Sequence, residues 1–417
     1  MKKILYPIFL FASSFAVVAE PVVITEDTKL TLTQFGEYIM GAPFLTVTHN
    51  YNGARHYSGH FYLNGQMFTS LVIDAKVSSG YFAFAGNRFV GEGIGNTISV
   101  SASDSATKVH IMSTSISGAE PGGGFAVDNC TVSMNLAADK QQIDGGIIRV
   151  RNNGALYWTG AALSGTRLQY VIGTEGSATD TSSRLILTTA TKPYAKSILT
   201  VYNGSFSFTG HERMDFNNSI IHALSEDSVM DYFAVEANQT FVIGAGITNK
   251  ITTNNNVTLF NNATLELNST NVIMNGANNM GIWLANAANS VNIVLGADNN
   301  INNISGGTGI VHTVNIDLNG HALVTETLDF NIMNVNLTDF GNEMFRFKSE
   351  NEESLILSHI RAWHDDIELT DLTIKEDGVY KYLFSESLVP EPAEWAAIFG
   401  FLALGFAAFS RRRQPSK

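Results

Sequence analysis

The chain has 417 residues, a net charge of −13 and one cysteine, Cys130. So acidic a chain does not take nucleic acid or an anionic membrane surface as its default partner. A single cysteine excludes an internal disulfide, so stability has to come from packing and hydrogen-bond ladders.

The chain opens with Lys2-Lys3, an apolar run from Ile4 to Phe15, and the small-residue exit Val17-Val18-Ala19. This order predicts a secretory signal helix over residues 1–19, cleaved between Ala19 and Glu20. Setting aside the two termini removes six of the 25 basic and two of the 38 acidic residues. The passenger, residues 20–388, keeps 19 basic against 36 acidic residues, a net charge near −17. That charge suits solubility and a neutral-glycan or divalent-cation-rich setting.

Residues 20–345 predict an all-β passenger. They are rich in Thr, Val, Ile, Ser, Asn and Gly, and lack an amphipathic helix of three or more turns. Strand-like runs recur at Lys29–Gln34, Phe68–Ala75, Thr97–Ser103, Lys108–Thr114, Gly146–Val150, Arg184–Thr189, Ser197–Tyr202 and Thr240–Gly244. The stretch 20–237 is the less regular part, with an aromatic-rich segment over 44–95. Within it His56 and His60 are four apart, which on a helix would pair two metal ligands, but Tyr57-Ser58-Gly59 between them reads as strand or loop. Cys130, in VDNCTVSMNL, reads as a small buried strand residue rather than a nucleophile.

Over 238–345 about one residue in four is Asn. Asn tolerates the left-handed backbone of tight turns, and stacked turns let Asn side chains ladder. Strand-like pieces such as VNIDLNGHALVTETL recur irregularly at roughly 20 to 35 residues, the signature of a solenoid. A set of β-sandwich domains is the alternative. Residues 346–388 predict a C-terminal cap or membrane-proximal β module, with a hairpin over Leu369–Phe384 turning at Asp377-Gly378. His364-Asp365-Asp366 is a conceivable cation site, although a solvated loop explains it more simply.

The chain closes, over residues 389–417, with Val389-Pro390-Glu391-Pro392, an apolar run from Trp395 to Phe409, and Arg411-Arg412-Arg413. Trp395, Phe399, Leu402, Phe406 and Phe409 would line a single transmembrane helix at the short limit for a bilayer. The arginines act as a basic stop on the cytoplasmic side. The two prolines keep the segment before the helix extended and accessible.

The tail VPEPAEWAAIFGFLALGFAAFSRRR resembles the PEP-CTERM sorting signal, in the VPEP form found in the Verrucomicrobia and their relatives. The resemblance covers about 25 residues and implies export, transit through the inner membrane of a Gram-negative-type bacterium, and processing by an exosortase-like enzyme. The looping, Asn-rich passenger resembles the autotransporter-like, right-handed parallel β-helices that such proteins carry.

Two classes of function follow. One is a surface or extracellular-matrix protein with a structural or adhesive role, partnered by the processing enzyme and by extracellular polysaccharide. The other is a polysaccharide lyase or hydrolase, or a carbohydrate-binding protein using aromatics such as Tyr157-Trp158 or Trp283. No carboxylate pair and no strand alternating Asp or Glu with Arg stands out for catalysis, so no catalytic residue, metal site or cofactor is expected.

Overall fold

The computed structural model describes residues 22–24, 44–49, 55–62, 70–75, 81–91, 93–95, 97–101, 108–111, 122–135, 141–143, 145–159, 168–188, 196–210, 213–389 and 401–404. The protein is all-β and winds into a solenoid. Strands that neighbour one another in a sheet are one full coil apart in sequence, and almost all pair in parallel. The seven strand-like runs listed above that fall within these residues all contain strands; Lys29–Gln34 lies outside them. Successive coils are 19 to 38 residues long, as partners such as Asp215↔Ala234 and Asn87↔Phe125 show.

Three sheets wrap the core. Sheet 1 runs through twelve strands, from Val22–Ile24 to Asn278–Asn279. Sheet 2 runs from Arg55–Tyr62 to Ile360–His364. The third sheet opens at Lys196–Val201. The start of that strand pairs with Met214–Phe216 and its end with Ser219–Ile221, so one strand feeds two sheets. Sheet 3 then continues through Phe233–Val235, Val257–Leu259, Gly281–Leu284, Asn299–Gly306 and Leu323–Leu328 to Phe345–Phe347. Beyond Asn279 sheet 1 stops, and the last coils alternate between sheets 3 and 2.

The strands carry period-two burial, with one face sealed and the other wet; Gly146–Arg151 and Ser290–Leu295 both alternate in this way. Parallel register stacks like on like. In sheet 2 the inward column is Phe89, Val127, Val150, Ile172, Val201, Ile221, Ile243, Leu267 and Leu295, each partnered with the next. All nine are at most 2% exposed. Sheet 1 contributes Met134, Trp158, Leu187, Phe208 and Met230 in the same way. Where the third sheet opens the core widens, and aromatics fill it: Phe216 lies 5.7 Å from Phe241 and 6.2 Å from Phe233, both edge-to-face. Such pairs add about 0.5–1.5 kcal/mol beyond the area they bury.

Turns between strands take Asn at positive φ. Among the described residues, seven of the eleven non-glycine positions there are Asn129, Asn152, Asn153, Asn238, Asn262, Asn271 and Asn319. On the outer face of sheet 2 Asn side chains also ladder. Asn336 donates to Asn315 at 2.8 Å, Asn315 to Asn292 at 3.0 Å, and Asn292 to Thr264 at 3.3 Å. One corner is stapled by a buried carboxylate: Asp180, 1% exposed, accepts from the backbone N–H groups of Asn152 and Asn153 and from the Thr174 and Ser183 hydroxyls at 2.6–2.9 Å. Two coils earlier Asp128 is clasped by Arg88 at 2.5 Å and Arg151 at 2.6 Å.

The C-terminal end is closed. The short helix Glu353–His359 seats Ile356 in the core. The hairpin Leu372–Asp377 with Tyr380–Ser385 turns at Gly378 and lays its second strand antiparallel on Phe345–Phe347. The parallel ladders continue to Phe347 and Ala362 beneath it. Among the described residues no helix is long and apolar enough to cross a membrane.

Close stacking makes some glycines obligatory. Gly173 has φ +79°, and a Cβ there would collide with the backbone of Asn203 on the next coil. Gly276, at φ +59°, has nothing within 4 Å of the same position. Gly276→Ala is therefore expected to cost only the left-handed backbone strain of about 1–2 kcal/mol. Gly173→Ala should cost clearly more, about 3 kcal/mol or above, read as the difference in urea-unfolding midpoints between the two variants.

Candidate ligand-binding face

The signal-cleavage residues Ala19 and Glu20 lie outside the described residues, as does most of the sorting tail: Pro390, Glu391, Pro392, Trp395, Phe399, Phe406, Phe409, Arg411, Arg412 and Arg413. Val389 is described and is 44% exposed, and Leu402 lies in a helical segment, 55% exposed. His56 and His60 fall on the strand Arg55–Tyr62, not on a helix.

His364-Asp365-Asp366 forms a tight hairpin corner. His364 and Trp363 pair with Ile367 and Glu368, both aspartates take positive φ, and the His364 ring bonds the Phe340 carbonyl at 2.9 Å. Among the described residues no group of three or more His, Cys, Asp or Glu side chains could hold a metal ion. Cys130 is fully buried, faces the Phe89 carbonyl at 3.7 Å, and burial pushes its thiol up to about 12. It is an inert core residue.

The two aromatic candidates separate. Trp158 is entirely buried, in the inward column of sheet 1, and Tyr157 beside it is half-buried. Trp283 is 37% exposed while its neighbours Ile282 and Leu284 are fully buried. Its indole therefore projects from the outer face of sheet 3.

That face also gathers charge. Lys196, Asp215, Ala234, Thr258, Trp283 and Ser305 are successive register partners across it. Arg213 grips Asp215 with two nitrogens at 2.5 and 3.0 Å and lies over the Phe260 ring at 4.9 Å. Lys196 pairs with Glu236 at 2.9 Å, and the Tyr232 and Thr258 hydroxyls meet at 3.0 Å. Asp215 is 7% exposed. Burial holds its pKa above the ordinary carboxylate value, Arg213 opposes the rise, and the adjoining Glu236 carboxylate adds to it.

The alternation Arg213-Met214-Asp215, with Met214 buried, is the period-two acid–base pattern that the sequence reading did not single out. It was the available signal for this cluster. Glu236 had none, because it joins Asp215 only through the parallel stacking of neighbouring coils.

Farther along sheet 3 lies a cavity of about 400 Å³, lined by Glu326, Thr327, Asp329, Lys348, Glu350 and Asn351 among others. Glu326 accepts from both Lys348 and Tyr380, and Lys348 sits 4.8 Å over the Tyr380 ring. These contacts hold Glu326 below the usual carboxylate range and raise Lys348 and Tyr380. The hairpin of the cap thus supplies one wall of the cluster.

Because Asp215 is raised in the folded state, its protonated form is the one that folding favours. The stability linked to it is fully present below 3.8 and falls away as pH rises through the raised folded value. Asp215→Asn should remove that share of the pH dependence, seen as a smaller decline in thermal midpoint with rising pH above 3.8 than in the parent protein. No protein-family model matches this chain, and neither a curated protein nor a solved structure is significantly similar to it.

Proposed function

We propose that the chain is an exported cell-surface or extracellular-matrix protein with a structural or adhesive role. In this reading a signal helix over 1–19 directs export, and a right-handed parallel β-helix forms the passenger. A single C-terminal transmembrane helix holds the protein in the inner membrane until an exosortase-like enzyme acts at Val389-Pro390-Glu391-Pro392.

The observation that carries it is how the chain enters the motif at Val389. Asp371 ties down the final turn by accepting from Ser385, the Ser387 amide and the Ser387 hydroxyl at 2.6–3.2 Å. Val389 follows with an extended backbone, φ −86° and ψ 118°, and is 44% exposed. The first residue of the recognition motif is therefore extended and exposed, which is what a processing enzyme requires of its substrate. The solenoid supports the passive role: its polar side chains are spent largely on ladders and corners between coils.

The neighbouring carboxyl residues Asp215 and Glu236 on sheet 3 favour a second reading, a polysaccharide-active enzyme. Hydrolysis of a glycoside needs two carboxyls about 5–9.5 Å apart and free to act on the sugar, whereas Asp215 and Glu236 are both held by cations. Arg213 and Lys196 are each engaged with one of them. This geometry supports a positioning or binding role over hydrolysis.

The test is expression in a host with an active exosortase, followed by mass spectrometry of the surface fraction. A mature chain lacking Trp395–Phe409 is expected, and Pro390→Ala should leave the protein in the inner membrane. A surface protein that retains Trp395–Phe409, or a chain that stays in the cytoplasm, would overturn the reading. New reducing or unsaturated ends released from polysaccharide, and lost in Asp215→Asn, would move the assignment to the enzyme.

A further inference from the structure

We propose that the outer face of sheet 3 binds an uncharged polysaccharide chain lying along the solenoid axis, stacked on Trp283 and reaching the cavity beside Glu326. The inference rests on the reading of the protein as exported to a surface or matrix, and names its partner there.

The first ground is the surroundings of Trp283. Of its register partners, Thr258 is buried beneath the Tyr232 hydroxyl, whereas Ser305 on the other side is small, polar and partly exposed, so the indole is open toward Ser305. Two residues earlier on the same outer side stands Gly281. A Cβ there would collide with the side-chain amides of both Asn256 and Asn303. The absent side chain lets two carboxamides from neighbouring coils converge beside the indole. Asn256 accepts from Asn275 at 3.3 Å and Asn303 donates to the Ser305 hydroxyl at 3.1 Å, which fixes their orientation. A flat apolar ring flanked by fixed amides matches a sugar ring, which offers an apolar C–H face and hydroxyls at its rim.

The second ground is continuity. Ser305 follows Trp283 one coil on, and Asn303 is in turn partnered with Thr327, which lines the cavity. Two inter-strand steps of about 4.8 Å each separate the indole from the cavity mouth. Each step is close to the length of one pyranose unit, so a linear chain would meet the indole, the Ser305 level and the cavity in succession. The cavity falls within the about 300–1,000 Å³ range of small-ligand pockets. Its Asp329, Glu350 and Asn351 side chains present acceptors for hydroxyl groups.

Charge decides the class of glycan. Glu326, Asp329 and Glu350 outnumber Lys348 in the cavity, and Lys348 is already paired with Glu326. Arg213 and Lys196 at the other end of the face are also engaged with carboxylates. With a net charge of −13 for the chain, a polyanion would be repelled. An uncharged chain would not.

Affinity electrophoresis of the full-length protein in gels containing a soluble β-glucan, a galactomannan or alginate tests this. Retardation by at least one of the two neutral polymers and none by alginate is expected. Trp283→Ala, an exposed position, should weaken it about tenfold, equivalent to ~1.4 kcal/mol, while Trp283→Phe keeps most of it. Tyr157→Ala, on sheet 1, should change nothing. Circular dichroism melts of each variant confirm that the fold is kept. No retardation by either neutral polymer, equal retardation by alginate, or full retardation of a folded Trp283→Ala protein would overturn the proposal. A protein found at the cell surface yet inert to these polymers would sink this inference alone, whereas one retained in the cytoplasm would sink the reading it rests on.

Discussion

Parallel registration of one coil on the next is the constraint from which the rest follows. It places every inward side chain of sheet 2 directly on its counterpart, from Phe89 to Leu295. Burying each aliphatic member contributes about 1.5–3 kcal/mol, while the backbone bonds between coils satisfy the strands' own polar groups. A chain with one thiol has no other source of cohesion on this scale. Registration also sets tolerance: a side chain at Gly173 would push two coils apart, and a slip of one residue would turn the whole column out to water.

The same constraint explains how the polar groups are used. Asn does two jobs here. In turns it takes positive φ, and on the outer face of sheet 2 it forms the chain of amides from Asn336 through Asn315 to Asn292. Corners that must be buried take carboxylates instead, because one carboxylate accepts several donors at once. Asp180 serves four. Asp128 draws Arg88 and Arg151 from the coils on either side of it, so charge is neutralised where it is desolvated. Most of the molecule's polar chemistry is therefore internal.

Legibility in the sequence follows the same divide. Period-two alternation, the Asn content and the Asp377-Gly378 turn are local signals, and the strands, the left-handed turns and the final hairpin appear where they point. The third sheet was not legible. It arises because Lys196–Val201 bends and feeds two neighbours, a choice made by packing of Phe216, Phe233 and Phe241. The candidate face inherits that difficulty. Trp158 and Trp283 look alike in sequence, each in a short apolar run, and only the coil's orientation sends one to the core and the other to the surface. Asp215 and Glu236 meet across coils, so no spacing along the chain announces them.

The way the ladders end has a consequence of its own. A parallel solenoid with a bare last coil is a template, and a second molecule could dock on it head to tail and extend the stack without limit. Here sheet 1 doubles back on itself at Asn275–Asn278, and the last strand of sheet 3 is paired to Tyr380–Ser385 running the opposite way. Reversed strands offer the wrong polarity for another parallel coil. The molecule therefore carries its own filament terminator at this end, and any assembly has to be built side by side, through its faces, rather than by lengthening the spiral.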